Sequence, residues 1–254
     1  MKKRRPVRAH QELPRTPQAD YPMRINRFLA LKGYSTRRGA DELVEKHKVY
    51  INGLLAVLGA KVNDGDEIEV RRTGKPKEYL YYAYNKPRGV ITHSPQLGEK
   101  DVRESAKRGG SIGKDVFPVG RLDKESRGLM VLTNDGRITD RLLNPEYEHE
   151  KEYIVQTTQK LRESFQEYME AGVKVDDYVT KPCQVRIMGD RMFRIILGEG
   201  KKHQIRRMVV AMHNEVADLE RVRVMNITLG KLPLGATRPI IGNELETFLK
   251  GLGM

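Results

Sequence analysis

The stretch Phe117-Pro118-Val119-Gly120-Arg121-Leu122-Asp123-Lys124-Glu125-Ser126-Arg127-Gly128-Leu129-Met130-Val131-Leu132 has the residue types best suited to chemistry. Apolar runs of strand character flank a charged loop bounded by glycines, which sets Asp123 at the end of a rigid scaffold. An ionised, partly desolvated aspartate is a competent nucleophile. On residue types alone, the loop also reads as a solvated, salt-bridged turn. Two other residues share this ambiguity. Tyr153 opens an apolar run, Tyr153 to Thr157, and reads as a strand residue packed along its neighbours. Arg206 borders the stripe Ile205, Met208, Val209 and Met212 on a predicted helix over 202–212, so its guanidinium emerges at the edge of the core and suits a phosphate.

What the chain lacks narrows the chemistry. There is no Walker-type phosphate loop, and Gly198-Glu199-Gly200 does not continue as a dinucleotide fingerprint. The six histidines include no His-Glu-x-x-His pair, and the single cysteine, Cys183, excludes an internal disulfide framework and a cysteine-rich zinc site. No cofactor and no metal are expected. Forty-seven Lys and Arg against 34 Asp and Glu give a formal charge of +13, which points to a polyanionic partner. No run approaches the roughly 18 apolar residues of a membrane span. Lys2-Lys3-Arg4-Arg5 is not followed by the apolar core of a secretion signal, so a cytoplasmic protein without membrane contact is expected.

These residues need elements to hold them. Residues 1–20 are basic and nearly devoid of apolar side chains, and are expected to form a disordered arm. In 21–72, Ile25, Phe28 and Leu29 mark a short helix ending near Gly33. Ser35 can cap a second helix with Ala40, Leu43 and Val44 on its apolar face. Asn52-Gly53 and Asn63-Asp64-Gly65-Asp66 are turn signals, and Glu67 to Val70 alternates as a strand. Arg37 and Arg38 fall in the first turn of the second helix, where the dipole disfavours cations but exposed amides attract phosphate. Arg24, Arg27 and Lys32 extend that patch. After a linker over 71–77, the domain 73–254 is read as mixed: strands at Tyr79 to Tyr84, Leu129 to Leu132 and Tyr153 to Thr157, and helices over Leu161 to Ala171 and Lys202 to Met212.

Residues Met23 to Val70, with MRINRFLALKGYSTRRGADELVEKHKVYINGLLA followed by VNDGDEIEV, resemble an S4 RNA-binding domain. Gly-Arg-Leu-Asp at 120–123, followed by a glycine and a hydrophobic strand, resembles the signature of the ribosomal RNA pseudouridine synthases. Further segments follow that family's order: Tyr84-Asn85-Lys86-Pro87-Arg88-Gly89-Val90, His149-Glu150-Lys151-Glu152-Tyr153, Gly200 to Met208, Leu219 to Arg223, and Leu232-Pro233-Leu234-Gly235. The chain is most similar to the branch with an N-terminal S4 domain, and HEKEY with RVRVMNITL to members acting on the large subunit.

The resemblance implies an α+β protein: an S4 helix-helix-hairpin module followed by a mainly antiparallel catalytic domain. It implies isomerisation of a uridine in structured RNA, without a cofactor, by a monomer. Large-subunit ribosomal RNA is the expected substrate and transfer RNA a further candidate. Asp123 is then the catalyst, Tyr153 the active-site tyrosine, and Arg206 the cation that holds the Asp123 carboxylate with its planar fork. Lys86, Arg121 and Arg207 are expected on RNA phosphate beside the S4 cations. A glycosylase and a non-catalytic assembly factor are the rival readings.

Overall fold

The computed structural model describes residues 21–71, 78–92, 101–109, 112–113 and 115–254. The expected basic arm and all but Arg71 of the expected linker lie outside them. Contacts divide the chain into two units, Met1–Arg72 and Thr73–Met254.

In the first unit β1 (Met23–Arg24) runs into α1 (Ile25–Leu31), and α2 (Arg37–Glu45) follows. Then come β2 (Val49–Ile51), β3 (Leu54–Leu55), β4 (Lys61–Val62) and β5 (Ile68–Val70). The helical period puts Ile25 and Leu29 on one face of α1 and Ala40 and Val44 on one face of α2, and these close over Val49 and Val62. Strands pair in the order β3-β2-β5, while β1 pairs separately with β4, a strand pair the sequence pattern did not suggest. Asn52 and Gly53 both take positive φ, as a tight hairpin requires. The cap of α2 is Thr36 rather than Ser35. Thr36 is the extended residue before the first helical turn, and its Oγ1 accepts from the Gly39 amide at 2.9 Å. Asn26 Nδ2 donates to Asp41, tying α1 to α2.

The second unit contains β6 (Tyr81–Lys86), α3 (Val102–Arg108), β7 (Phe117–Val119), β8 (Arg127–Thr133), α4 (Ile138–Leu143) and β9 (Lys151–Thr157). These are followed by α5 (Phe165–Ala171), β10 (Lys174–Val175), β11 (Tyr178–Val179), β12 (Gln184–Gly189), β13 (Met192–Leu197) and α6 (Gln204–Ala211). It ends with β14 (Val216–Val224), β15 (Ile227–Thr228), β16 (Thr237–Pro239) and α7 (Gly242–Gly251). Nine strands form one sheet in the order β12-β13-β9-β14-β8-β6-β16, with β15 added to β14 and β7 to β8. Every pairing but one is antiparallel; β14 and β8 run parallel, Glu220 opposite Arg127 and Arg221 opposite Gly128. The fold is therefore α+β with a mainly antiparallel sheet, as the resemblance implied.

One core lies among β6, β8, α4 and α7, with Leu129, Val131, Ile138 and Phe248 buried. A second lies among β9, β13, α5 and α6, with Val155, Phe193, Phe165 and Met208 buried. The parallel seam joins these halves. The helix expected over 161–171 forms only from Phe165, because the Leu161 amide donates to Asp190 O at 2.7 Å and holds the preceding residues in a turn. The helix expected from Lys202 starts at Gln204, since His203 is left-handed at φ 52°. The hairpin β10-β11 was not anticipated. Among the described residues no helix is long and apolar enough to cross a membrane.

Candidate active site

Strand register draws the site together. Lys86 on β6 lies opposite Gly128 on β8, Gly128 opposite Arg221 on β14, and Arg221 opposite Tyr153 on β9. Laterally paired residues share a face, so this row presents two cations and an aromatic ring along one line. Gly128 makes the row possible. Its φ of +107° is left-handed, and a Cβ there would stand 2.3 Å from the Arg221 carbonyl oxygen, so only glycine admits the close approach of β14.

The Asp123 loop leaves β7 through Gly120, at φ +81°, and re-enters the sheet at β8. Four of its carbonyls are held from outside the loop and one from within it. Arg221 Nη1 donates to Arg121 O at 3.4 Å and Thr92 Oγ1 to Leu122 O at 2.8 Å. The Ser126 amide donates to Asp123 O at 3.0 Å. Lys86 Nζ donates to Lys124 O at 3.3 Å, and Arg206 Nη2 to Glu125 O at 3.2 Å. These bonds rigidify a segment that has no ladder of its own. The Asp123 carboxylate, about one-third exposed, stands free of them at the mouth of a cavity, with His203 Nε2 3.4 Å from Oδ1. That cavity, about 320 Å³, is lined by Asp123, Lys151, Tyr153, His203, Arg206 and Arg221 among others. Its size falls within the roughly 300–1,000 Å³ of small-molecule pockets.

Two lysines, Lys86 buried and Lys151 half-buried, set the electrostatics. Burial lowers Lys86 from its ordinary 10.5 to about 8, with Arg221 acting in the same direction and the negative charges of Asp123 and Glu125 opposing it. Lys151 is also lowered to about 8, first by burial and then by Arg221. Both remain mainly ammonium ions at neutral pH.

The sequence profile described as RNA pseudouridylate synthase matches residues 80–211, and that of the S4 domain matches residues 23–68. The dual-specificity RNA pseudouridine synthase RluF of Escherichia coli (strain K12) is 37% identical over 91% of this chain and 80% of its own.

The chain belongs to the RNA pseudouridylate synthase family.

The ribosomal large subunit pseudouridine synthase B of Bacillus subtilis (strain 168) is 31% identical, over 88% of this chain and 94% of its own length. A crystal structure of a pseudouridylate synthase superposes with a TM-score of 0.65 at 26% identity, covering 89% of this chain and 99% of the other.

In this synthase, Asp123, Tyr153 and Arg206 do converge on one cavity, but two contacts differ from expectation. Arg206 does not grip the Asp123 carboxylate. Its Nη2 donates to Glu125 O and to Ser126 Oγ, each at 3.2 Å, so it braces the loop beyond the aspartate. Lys86 is not a phosphate contact: its side chain is fully buried and its ammonium donates to Pro87 O at 2.9 Å and to Lys124 O. It is the buried cation in electrostatic reach of Asp123, the place the sequence reading had given to Arg206. Arg121 is exposed and lines the mouth. Arg207 ion-pairs with Asp176 on the β10-β11 hairpin and lies 5.4 Å from the Tyr178 ring centre.

The sequence reading passed over Thr92, Lys151, His203 and Arg221. Arg221 had a visible signal, because it sits in the alternating run Leu219 to Arg223, in phase with the core residue Leu219. In the S4 unit Arg24, Arg27, Lys32, Arg37 and Arg38 are all exposed. Lys32 Nζ lies 5.9 Å from the Phe28 ring centre, and none of the five has an acidic partner among the described residues.

Proposed function

We propose that this synthase isomerises a specific uridine of large-subunit ribosomal RNA, with Asp123 as the catalytic carboxylate. The observation that supports this best is the convergence of Asp123, Tyr153, Lys151 and the buried Arg221 on one cavity at the parallel seam. The substrate class is supported by the Bacillus subtilis relative, whose name specifies the ribosomal large subunit. A stacked uridine is out of reach of such a cavity, so the target must be flipped out, and Tyr153 offers the flat wall against which the base rests. The C1'–N1 bond then breaks, the base turns, and C1' joins C5. Asp123 serves by adding to C6, by adding to C1', or by taking a proton from the sugar, and all three routes need its ionised form. Arg121 at the mouth and the exposed cations of the S4 unit hold RNA backbone.

The test is to map pseudouridines in ribosomal RNA from cells lacking the protein, and from the same cells supplied with wild type or Asp123→Asn. One large-subunit site should vanish, return with wild type and stay absent with the variant. Transfer RNA is mapped alongside as the second substrate class. Restoration by Asp123→Asn would remove the aspartate from its role, and free uracil in place of pseudouridine would make the protein a glycosylase.

A further inference from the structure

Lys151 is a half-buried cation on the cavity wall whose ammonium is only partly used within the protein. It stands two residues before Tyr153 on β9, so the strand period puts both side chains on the same face, and both line the cavity. Its Nζ makes one hydrogen bond, to His149 O at 2.8 Å, which leaves two of three ammonium donors unused. Among the described residues no carboxylate pairs with it. The neighbouring Glu152 points to the other face and is taken by Arg194 and Arg223. Glu199, also on the cavity wall, accepts from the Lys181 amide and from Gln204. The charged group that does act on Lys151 is Arg221, of the same sign. Two like charges set side by side, one of them with no carboxylate partner, favour negative charge entering the cavity.

Resting on the function proposed above, we infer that Lys151 is a catalytic residue that donates a hydrogen bond to the uracil ring while the base is detached and negatively charged. When C1'–N1 breaks, its electron pair stays with the ring and spreads over N1, O2 and O4. The role belongs to the two routes in which the ring leaves as a free anion, where C1' is satisfied by the Asp123 carboxylate or by loss of a sugar proton to it. After the base turns, an electron pair from the ring forms C1'–C5 as Asp123 leaves or returns its proton. The C5 proton is then lost and N1 gains one, so nothing is consumed. Lys151 forms no covalent bond at any stage. It stabilises charge that exists only after bond cleavage, which is where a fixed donor acts on rate rather than on binding. Its two remaining donors, on a residue that lines the cavity beside Tyr153, are free for the base.

The experiment measures Kd, its salt dependence and the single-turnover rate at saturating enzyme, for wild type, Lys151→Met and Lys151→Gln. The RNA fragment carries either uridine or 5-fluorouridine at the target, and the rate followed is loss of the original nucleoside. Fluorine withdraws charge from the ring and lessens the need for the lysine. Both variants should bind like wild type and react with uridine about 100-fold more slowly, the loss of one preorganised donor. That deficit should shrink several-fold with 5-fluorouridine. A weaker Kd with a salt slope lower by about one counterion, at normal rate, would instead make Lys151 a phosphate contact. An equal deficit on both substrates, or none, also overturns the inference. If wild type itself forms no pseudouridine, the function proposed above has failed rather than the role of Lys151.

Discussion

Lys86 shows how a single side chain can serve structure and chemistry against its own solvation. Its ammonium, fully buried, ties the Pro87 carbonyl beside it to the Lys124 carbonyl of the Asp123 loop, and burial brings it from 10.5 to about 8. The unfolded chain therefore binds a proton that the folded chain has released between these values, so the Lys86 contribution to stability rises with pH through that window. Lys86→Met removes the dependence. Denaturant titrations at pH 8 and pH 10.5 should show the gap between wild type and variant moving in favour of wild type, by up to about 3 kcal/mol. A gap that stays constant would mean that burial in the fold does not lower Lys86 below its ordinary value. Arg206 has a different task, reaching Glu125 O and Ser126 Oγ with one nitrogen. Arg206→Lys keeps the charge but loses the planar geometry, so single-turnover rate should fall at least tenfold (about 1.4 kcal/mol) while Kd and salt slope stay near wild type. Normal turnover once bound would make the bracing of the loop irrelevant to chemistry.

At the scale of elements, the decisive junction is the parallel contact of β8 with β14. It puts Arg221 between Tyr153 and Gly128, and Arg221 Nε fixes the arrangement by donating to Leu129 O at 2.7 Å. Ion pairs reinforce the same seam: Arg127 binds Asp218 at 2.8 Å and also Glu220, and Arg88 binds Asp218 at 2.5 Å. A methyl group on residue 128 would meet backbone rather than a side chain that can turn away. Gly128→Ala therefore combines left-handed strain with overpacking and should cost about 3 kcal/mol, lowering the melting temperature and abolishing turnover. A variant as stable and active as wild type would show that β14 can retreat from β8 without harm.

At the scale of the whole molecule, the division of labour between the two units is testable unit by unit. Arg24, Arg27, Arg37 and Arg38 are exposed and have no acidic partner among the described residues, which suits phosphate rather than internal pairing. Arg37→Ala with Arg38→Ala should weaken RNA binding and reduce the salt slope by up to about 2, leaving the rate of bound substrate unchanged. Unaltered affinity for ribosomal RNA in the double variant would remove α2 from the interface.

The sequence by itself determined the local elements and the candidate loop, because these depend on short-range pattern. The periods of Ile25, Leu29, Ala40 and Val44 specify two helices, and Asn52-Gly53 a hairpin. Glycines at 120 and 128 delimit a charged loop between apolar strands. The family likeness also resided there, in motifs that keep their order along the chain. Only the tertiary structure decided which cations hold the Asp123 loop. Lys86 and Arg221 lie 37 residues before and 98 residues after it, and no periodicity reports that strand register sets them in one row. The direction of Arg206 follows from where α6 crosses the loop, and burial of Lys86 from how β6 pairs with β8. A lysine reads as surface in any window of sequence, and its burial shows only when the strands around it are assembled. Lys151 was equally hidden, because the absence of an anion beside it is a property of the packed cavity and not of its neighbours in the chain.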